Sequence, residues 1–276
     1  MSHAYIIDSP RSLSLADYDP DDTGSLSHDD AEKQTDEFKN RLLELQDLLY
    51  GAARQSVLVI LQGLDTSGKD GTIKHVMSHV NPVGCQVWSF KVPTAEELSH
   101  DFLWRVHKRT PANGMFAIFN RSHYEDVLVA RVHGLVPEDV WSKRYEQINH
   151  FEQMLALNNT IICKFFLHIS KGEQKQRLLA REQDPEKWWK LSLADWQERA
   201  YWDAYQEAYA DAIGRCGTSW APWHIIPANK KWYRDFAIAR ALIERLSPYR
   251  QRWRDELQER GKTELERIRA AHIQEE

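Results

Sequence analysis

The chain has 276 residues, 42 % hydrophobic and 28 % charged, with a formal net charge of −5. That length suits a single α/β domain with a large core, and the charge excludes a global basic field that would recruit nucleic acid or an anionic membrane. Three scattered cysteines, Cys85, Cys163 and Cys216, make no zinc or redox spacing and fit a reducing compartment.

Residues 1–28, polar and acidic with "DYDPDD" and "TGSLSHDD", read as a flexible N-terminal arm without a secretory pattern. A helix is predicted from Asp29 to Gly51, because Phe38, Leu42, Leu45 and Leu49 fall on one face. "SVLVILQ" is a buried strand, and the helix after it carries a stripe of Ile73, Val76, Met77 and Val80. "GCQVWSF" is a second strand, and "TAEELSHDFLWRVHKR" a helix opened by a Thr94 cap with Glu97 three residues on. "GMFAIFN" is a third strand, "SHYEDVLVARVHG" turns helical, and a long helix covers roughly 138–157. "TIICKFFLHIS" gives a fourth strand with a helix through Arg181, and "WHIIPA" a fifth with the helix "WYRDFAIARALIERL". This alternation predicts βαβ units, a parallel five-stranded sheet and strand ends that share one edge. Residues 29–250 form one domain on this reading, and 251–276 a charged helix, solvated or making a subunit contact through Trp253, Leu257, Leu265 and Ile268. The longest apolar runs are too short to span a bilayer, so a soluble cytoplasmic protein is the expectation.

The stretch "SVLVILQGLDTSGKDGTIKHVM" has the outline of a phosphate-binding loop, with Asp70 where Ser or Thr normally stands. Gly63, Thr66, Ser67, Gly68, Lys69, Asp70 and Gly71 are the candidate phosphate-binding set. Glycines let backbone N–H groups approach phosphate oxygens, the helix N-terminus adds partial positive charge, and Lys69 adds a full one. Asp65 and Asp70 oppose this, since each like-charge pair at about 4 Å costs roughly 1–4 kcal/mol. Magnesium resolves the conflict if a carboxylate replaces the missing hydroxyl as ligand. Asp65 is the better candidate, and Asp70 in the first helical turn is expected to favour the helix dipole and point away.

The third strand ends in "IFNRSHYED", where Arg121 can clamp a transferring phosphoryl group and Asn120 and Glu125 can hold an acceptor or a metal-bound water. In "LLAREQDPEKWWKLSLADW", Arg177, Arg181, Lys187 and Lys190 surround a proline-containing break, which is how a cationic lid over about residues 181–195 is built. Trp188 and Trp189 argue against a fully solvated turn. Tyr201, Tyr205 and Tyr209 read as core packing. His75 and His79 have metal-like spacing but no adjacent third ligand, and "ANKKW" lacks the Asp of a guanine-reading motif.

Three blocks, "GLDTSGKDGTIKHVMSHVNPVGCQVWSFKVPTAEELSHDFLWR", "FNRSHYEDVLVARVHG" and "REQDPEKWWKLSLADW", occur in the order that resembles the polyphosphate kinase 2 family, over roughly residues 30–250. The resemblance implies a P-loop kinase-like, three-layer α/β fold similar to thymidylate kinase, with a helical lid. It implies magnesium, with manganese as a substitute, and phosphoryl transfer between inorganic polyphosphate and adenine nucleotides, with guanine nucleotides as further acceptors. It also implies a homo-oligomer, a dimer or tetramer. By position, Asp65 becomes a magnesium ligand, Lys69 a phosphate contact, Arg121 the grip on the transferring phosphate, and Arg181 with Lys187 the lid groups. Many members carry D-R-S where this chain has Asn120-Arg121-Ser122, so Glu125 or Asp126 is the candidate second metal ligand. "NRSHYED" resembles the subgroup acting on both AMP and ADP. A polyphosphate chain wants a groove of cations, for which Lys74, Lys91, Arg105, Lys108, Arg109 and Arg131 are candidates. Two other readings stay open: an ATP-dependent nucleoside or nucleotide kinase, and a nucleotide-binding switch without transfer.

Overall fold

A computed structural model describes residues 3–273. In chain order the strands are β1 (Tyr5–Ile7), β2 (Ser56–Gln62), β3 (Cys85–Ser89), β4 (Phe116–Asn120), β5 (Thr160–His168) and β6 (Trp223–Pro227). The helices up to the middle of the chain are α1 (His28–Ala52), α2 (Lys69–Val76), α3 (Ala95–Leu98), α4 (Trp104–His107), α5 (Val129–Val132) and α6 (Glu138–Leu157). They are followed by α7 (Lys171–Glu182), α8 (Leu193–Glu198), α9 (Trp202–Cys216), α10 (Lys231–Leu246) and α11 (Arg250–Ile273).

One sheet of six strands runs in the order β1-β6-β5-β2-β4-β3. The pairs β2–β4, β2–β5, β3–β4 and β5–β6 are parallel, and β1 joins β6 antiparallel. The sheet therefore has one strand more than the five expected. Every residue of β2 and β5 is buried, which explains their unbroken apolar runs: both faces of the central strands are covered. Side chains of β2 divide by pleat. Val57, Val59 and Leu61 pack with α1 and α10, whereas Leu58 and Ile60 pack with α6 and α9. The result is three layers, with the C-terminal ends of the five parallel strands opening along one edge.

Four sequence expectations need correction. Residues 3–28 are not a loose arm, and the first two positions of the expected arm lie outside the described residues. Tyr5–Ile7 pairs with the edge strand β6, Ile7 and Leu15 are buried, and the Asn229 backbone N–H donates to Pro20 O at 3.1 Å. A bare β6 edge would expose unpaired backbone groups, and this short strand covers them. Second, "TAEELSHDFLWRVHKR" is not one helix: α3 ends at Leu98, and Asp101 caps the backbone N–H of Leu103 ahead of α4. Third, α11 is anchored at its start, where the fully buried Trp253 donates to Gln55 Oε1 at 2.6 Å. The last three positions of that expected tail helix lie outside the described residues. Fourth, Trp189 is 78 % exposed and does not pack the turn. Among the described residues no helix is long and apolar enough to cross a membrane.

Candidate active site

The turn between β2 and α2 is shaped by backbone that few residues tolerate. Gly63 has φ 150°, Thr66 φ 67° and Gly68 φ 107°. A Cβ on Gly63 would lie 2.9 Å from Leu167 O, and one on Gly68 only 1.9 Å from Nη1 of Arg234. Glycine is thus required for close packing as well as for rotation. Lys69, the first residue of α2, is 8 % exposed and curls back so that Nζ donates to Gly63 O at 2.6 Å and Leu64 O at 3.3 Å. Burial, reinforced by the charge of Arg121, lowers its pKa below the usual lysine range. The hydroxyls of Thr66, Ser67 and Thr72 are buried without a hydrogen-bond partner among the described residues. Such groups around a phosphate loop are donors in want of an acceptor.

The end of β4 supplies the second wall. Arg121 adopts φ 62°, which turns its side chain toward the loop, and Nη2 donates to Asp65 Oδ1 at 2.7 Å. Its Nη1 lies 3.7 Å from Glu125 Oε2. Burial works against the Arg121 charge, yet Glu125 and Asp65 outweigh it and raise the pKa. Asn120 Nδ2 donates to Asp70 Oδ1 at 2.7 Å. Asp70 therefore lines the cleft and does not turn away along the helix. Glu125 sits behind Arg121 and outside the cleft wall, where desolvation raises its pKa despite Arg121 and Lys69. A carboxylate so placed steadies the guanidinium and is badly placed as a metal ligand. Asp126 is likewise engaged, accepting from Arg144 at 3.2 Å.

The third wall comes from α7, the turn after it, and α10. Arg181 donates to Asp195 at 3.1 Å, Lys187 pairs with Asp184, and Lys190 Nζ is 3.9 Å from Asp70 Oδ2. Three contributors escaped the sequence reading of roles. Arg177 donates to the carbonyls of Thr66 and Ser67 on one side and of Ala228 and Asn229 on the other, at 2.7–3.1 Å. It rivets the phosphate loop to the end of β6 and has no freedom to travel with a lid. Arg234 is 2 % exposed, is held by Asp235 at 2.7 Å, and leans on Gly68 and Gly71. Lys231 lines the same cleft. The "NKKWYRD" run was the available signal for both, but only a sheet in this order carries it to the loop.

These walls enclose about 800 Å³, in which lysines and arginines outnumber the two aspartates, Asp65 and Asp70. The net charge of the chain is negative, so the cations are segregated here. Lys91 lines the cleft, and its carbonyl accepts from Arg105 at 2.8 Å. Lys74 and Arg131 do not reach it. Lys74 is exposed on α2, and Arg131 is bound to Asp211 at 2.6 Å beneath the Trp141 ring. Lys108 and Arg109 cover the rings of Trp104 and Trp88. Spacing in sequence does not tell which face of a short helix meets the cleft, and for these residues the other face does.

Among the described residues no three His, Cys, Asp or Glu side chains converge as a metal cage. Magnesium does not require one, because it commonly takes one or two carboxylates together with substrate phosphates. Asp65 and Asp70, both in the cleft and both paired with groups that phosphate could displace, fit that donor set.

A strand, a glycine-rich turn opening a helix, and an arginine from the neighbouring strand define an α/β protein built to handle phosphate. Comparison with known proteins agrees. Residues 25–253 match the sequence profile of polyphosphate kinase 2. The chain is 52 % identical over 234 residues to an AMP/ADP-polyphosphate phosphotransferase of Meiothermus ruber, covering 84 % of this chain and 88 % of that one. It is 47 % identical over 216 residues to an ADP-polyphosphate phosphotransferase of Rhodopseudomonas palustris, covering 74 % and 75 %. The crystal structure of polyphosphate kinase 2 from Arthrobacter aurescens superimposes with a TM-score of 0.84 at 43 % identity, covering 90 % of this chain and 92 % of that one. The chain belongs to the polyphosphate kinase 2 family.

Proposed function

We propose that this protein is a magnesium-dependent phosphotransferase that moves phosphoryl groups between inorganic polyphosphate and AMP or ADP, with nucleotide phosphorylation favoured. The observation that carries the reading is the convergence of Lys69, Arg121 and Arg181 on one cation-rich cleft. The relatives named for AMP/ADP and ADP transfer support the choice of substrates. The P-loop kinase-like architecture, similar to thymidylate kinase, with residues 181–195 as a lid, is part of the proposal.

Phosphoryl transfer asks for positioning and charge neutralisation more than for covalent chemistry. Lys69 exchanges the carbonyls of Gly63 and Leu64 for phosphate oxygens. Arg121, steadied from behind by Glu125, meets the charge that develops on the transferring group. Arg181, Lys187 and Lys190 close over the cleft and exclude water, which strengthens each of these contacts. Lys91 and Lys231 guide the polyphosphate chain, and the buried Arg234 backs the loop at Gly68 and Gly71. Asp65 and Asp70 would hold magnesium, which when bound neutralises phosphate charge and orients the transferring group.

The test uses purified protein with AMP or ADP, polyphosphate as sole donor, and magnesium present or chelated. ADP and ATP are the expected products, and only with the metal. No product at any chain length would overturn the reading. Transfer from ATP to a nucleoside without polyphosphate would mark an ATP-using kinase instead.

A further inference from the structure

Beneath the cleft lies a set of charges that does not line it. Lys164 on β5 and Glu152 on α6 are both fully buried, with Nζ 2.6 Å from Glu152 Oε2. Lys164 spends its other two protons on Tyr124 Oη at 2.9 Å and Cys216 O at 2.7 Å, so all three of its donors are satisfied. The second oxygen of Glu152 accepts from Tyr124 Oη at 2.9 Å and lies 3.2 Å from His123 Nε2. His123 and Tyr124 are themselves fully buried. Burial would raise the Glu152 pKa, but Lys164 and His123 overcome it and keep the group ionised.

A buried ion pair is poor evidence for stability, because well-packed apolar residues in its place are often as stable or more so. Its location is more telling. His123 and Tyr124 are consecutive in the loop that carries Arg121 and Glu125. Arg121 holds a left-handed backbone at φ 62°, a conformation that costs a non-glycine residue about 1–3 kcal/mol and persists only when its surroundings impose it. Arg121 N–H donates to Leu61 O at 3.0 Å, and the next residue is held by Gln62 Nε2, which donates to Ser122 Oγ at 3.1 Å. Downstream the loop is held by the two side chains that end on Glu152.

We propose that the buried Lys164–Glu152 pair is a positioning device: it clamps His123 and Tyr124 and thereby fixes the Arg121 backbone that aims the guanidinium into the cleft. Glu152 is the positioning residue and Lys164 its counter-charge, and neither lines the cleft. The inference rests on the phosphotransfer reading for its kinetic consequence, but not for its structural one.

Two double variants separate clamp from charge. Lys164→Met with Glu152→Gln removes both charges but leaves an acceptor oxygen for Tyr124 and His123. Lys164→Met with Glu152→Leu removes the acceptor too. The first is expected to keep kcat within about 5-fold of wild type. The second is expected to lose about 100-fold in kcat, with KM for polyphosphate and nucleotide changed less than about 3-fold, as misaimed catalytic groups do. Equal kcat in the two variants at matched melting temperatures overturns the proposal. Hydrogen exchange gives an arm independent of activity: amides of residues 120–126 should exchange faster in the acceptor-free variant and other segments should not. Unchanged exchange there overturns the clamp even if wild type proves inactive, an outcome that would count separately against the phosphotransfer reading. If the apolar pair does not fold, Tyr124→Phe removes a single hydroxyl. Unchanged kcat and unchanged exchange in that folded variant also overturn the proposal.

Discussion

Asn120 and Asp70 meet across the mouth of the cleft, the amide of one donating to the carboxylate of the other at 2.7 Å. A neutral donor at position 120 lets Asp70 face inward without a second negative charge beside it. Asn120→Asp would put two carboxylates there. Because Asp70 is 71 % exposed, the repulsion is at the lower end of its range, about 1 kcal/mol. The variant should melt lower than wild type in metal-free buffer and gain more from magnesium. Thermal melts with chelator and with magnesium check this, and an equal gain in both proteins would place the metal away from Asp70.

On the proposed function, Lys69 is the charge on which the phosphate loop depends. Lys69→Ala should lower kcat by about 100- to 1,000-fold, the loss typical of one preorganised donor in a water-excluded site. Its pKa is depressed from 10.5 by burial. Protonated Lys69 is therefore lost as pH rises, at a lower pH than for an exposed lysine. The kcat/KM profile of wild type should fall on the alkaline side, since that ratio reports the free enzyme. In Lys69→Arg, whose residual activity keeps its charge, the alkaline fall should move upward. An unmoved fall would assign that limb to another group.

Gly68→Ala tests the contact between the loop and α10. The added Cβ would meet Arg234 Nη1 at 1.9 Å, in addition to the strain of φ 107°. Gly24→Ala is the control, with φ 54° and nothing within 4 Å of its Cβ, so only backbone strain of about 1 kcal/mol applies. Chemical denaturation should show a clearly larger loss for Gly68→Ala. Adding Arg234→Ala should recover part of it, because residues in contact are not additive. Strict additivity would show that Arg234 is not what the new methyl meets.

Acid sensitivity should trace in part to His224. Its ring lies 3.2 Å from Lys164 O, and burial lowers its pKa from 6.5 to about 4. The fold binds neutral imidazole, so this contribution is intact above pH 6.5 and is lost as pH falls toward about 4. The shift corresponds to roughly 3 kcal/mol. His224→Gln should flatten the fall in unfolding free energy between neutral pH and about 4.5 by an amount of that order. An unchanged slope would move the acid effect elsewhere, His168 being the other buried histidine whose pKa burial lowers.

How much of this was legible in the sequence depended on distance along the chain. The phosphate loop is a local object, and its glycines, lysine and flanking apolar strand stand within one short segment. The place of Arg121 in the cleft was legible for a related reason, as the first charged residue after an apolar strand in a βαβ pattern. Arg177 and Arg234 were not legible in their roles, because each is defined by backbone some 50 to 160 positions away. Lys74 and Arg131 failed through helix rotation, which a four-residue helix such as α5 does not reveal. β1 was missed because three residues of strand carry too little alternation to rise above an acidic segment.

The segment that follows this short first strand has a further consequence. Asn229, whose N–H donates to Pro20 O and whose Nδ2 donates to Asp21, is also one of the carbonyls gripped by Arg177, and Arg177 grips the turn at Thr66 and Ser67. The start of the chain thus sits three contacts from the phosphate loop. Trimming residues 3–22 to tidy an expression clone would be felt in turnover as well as in solubility.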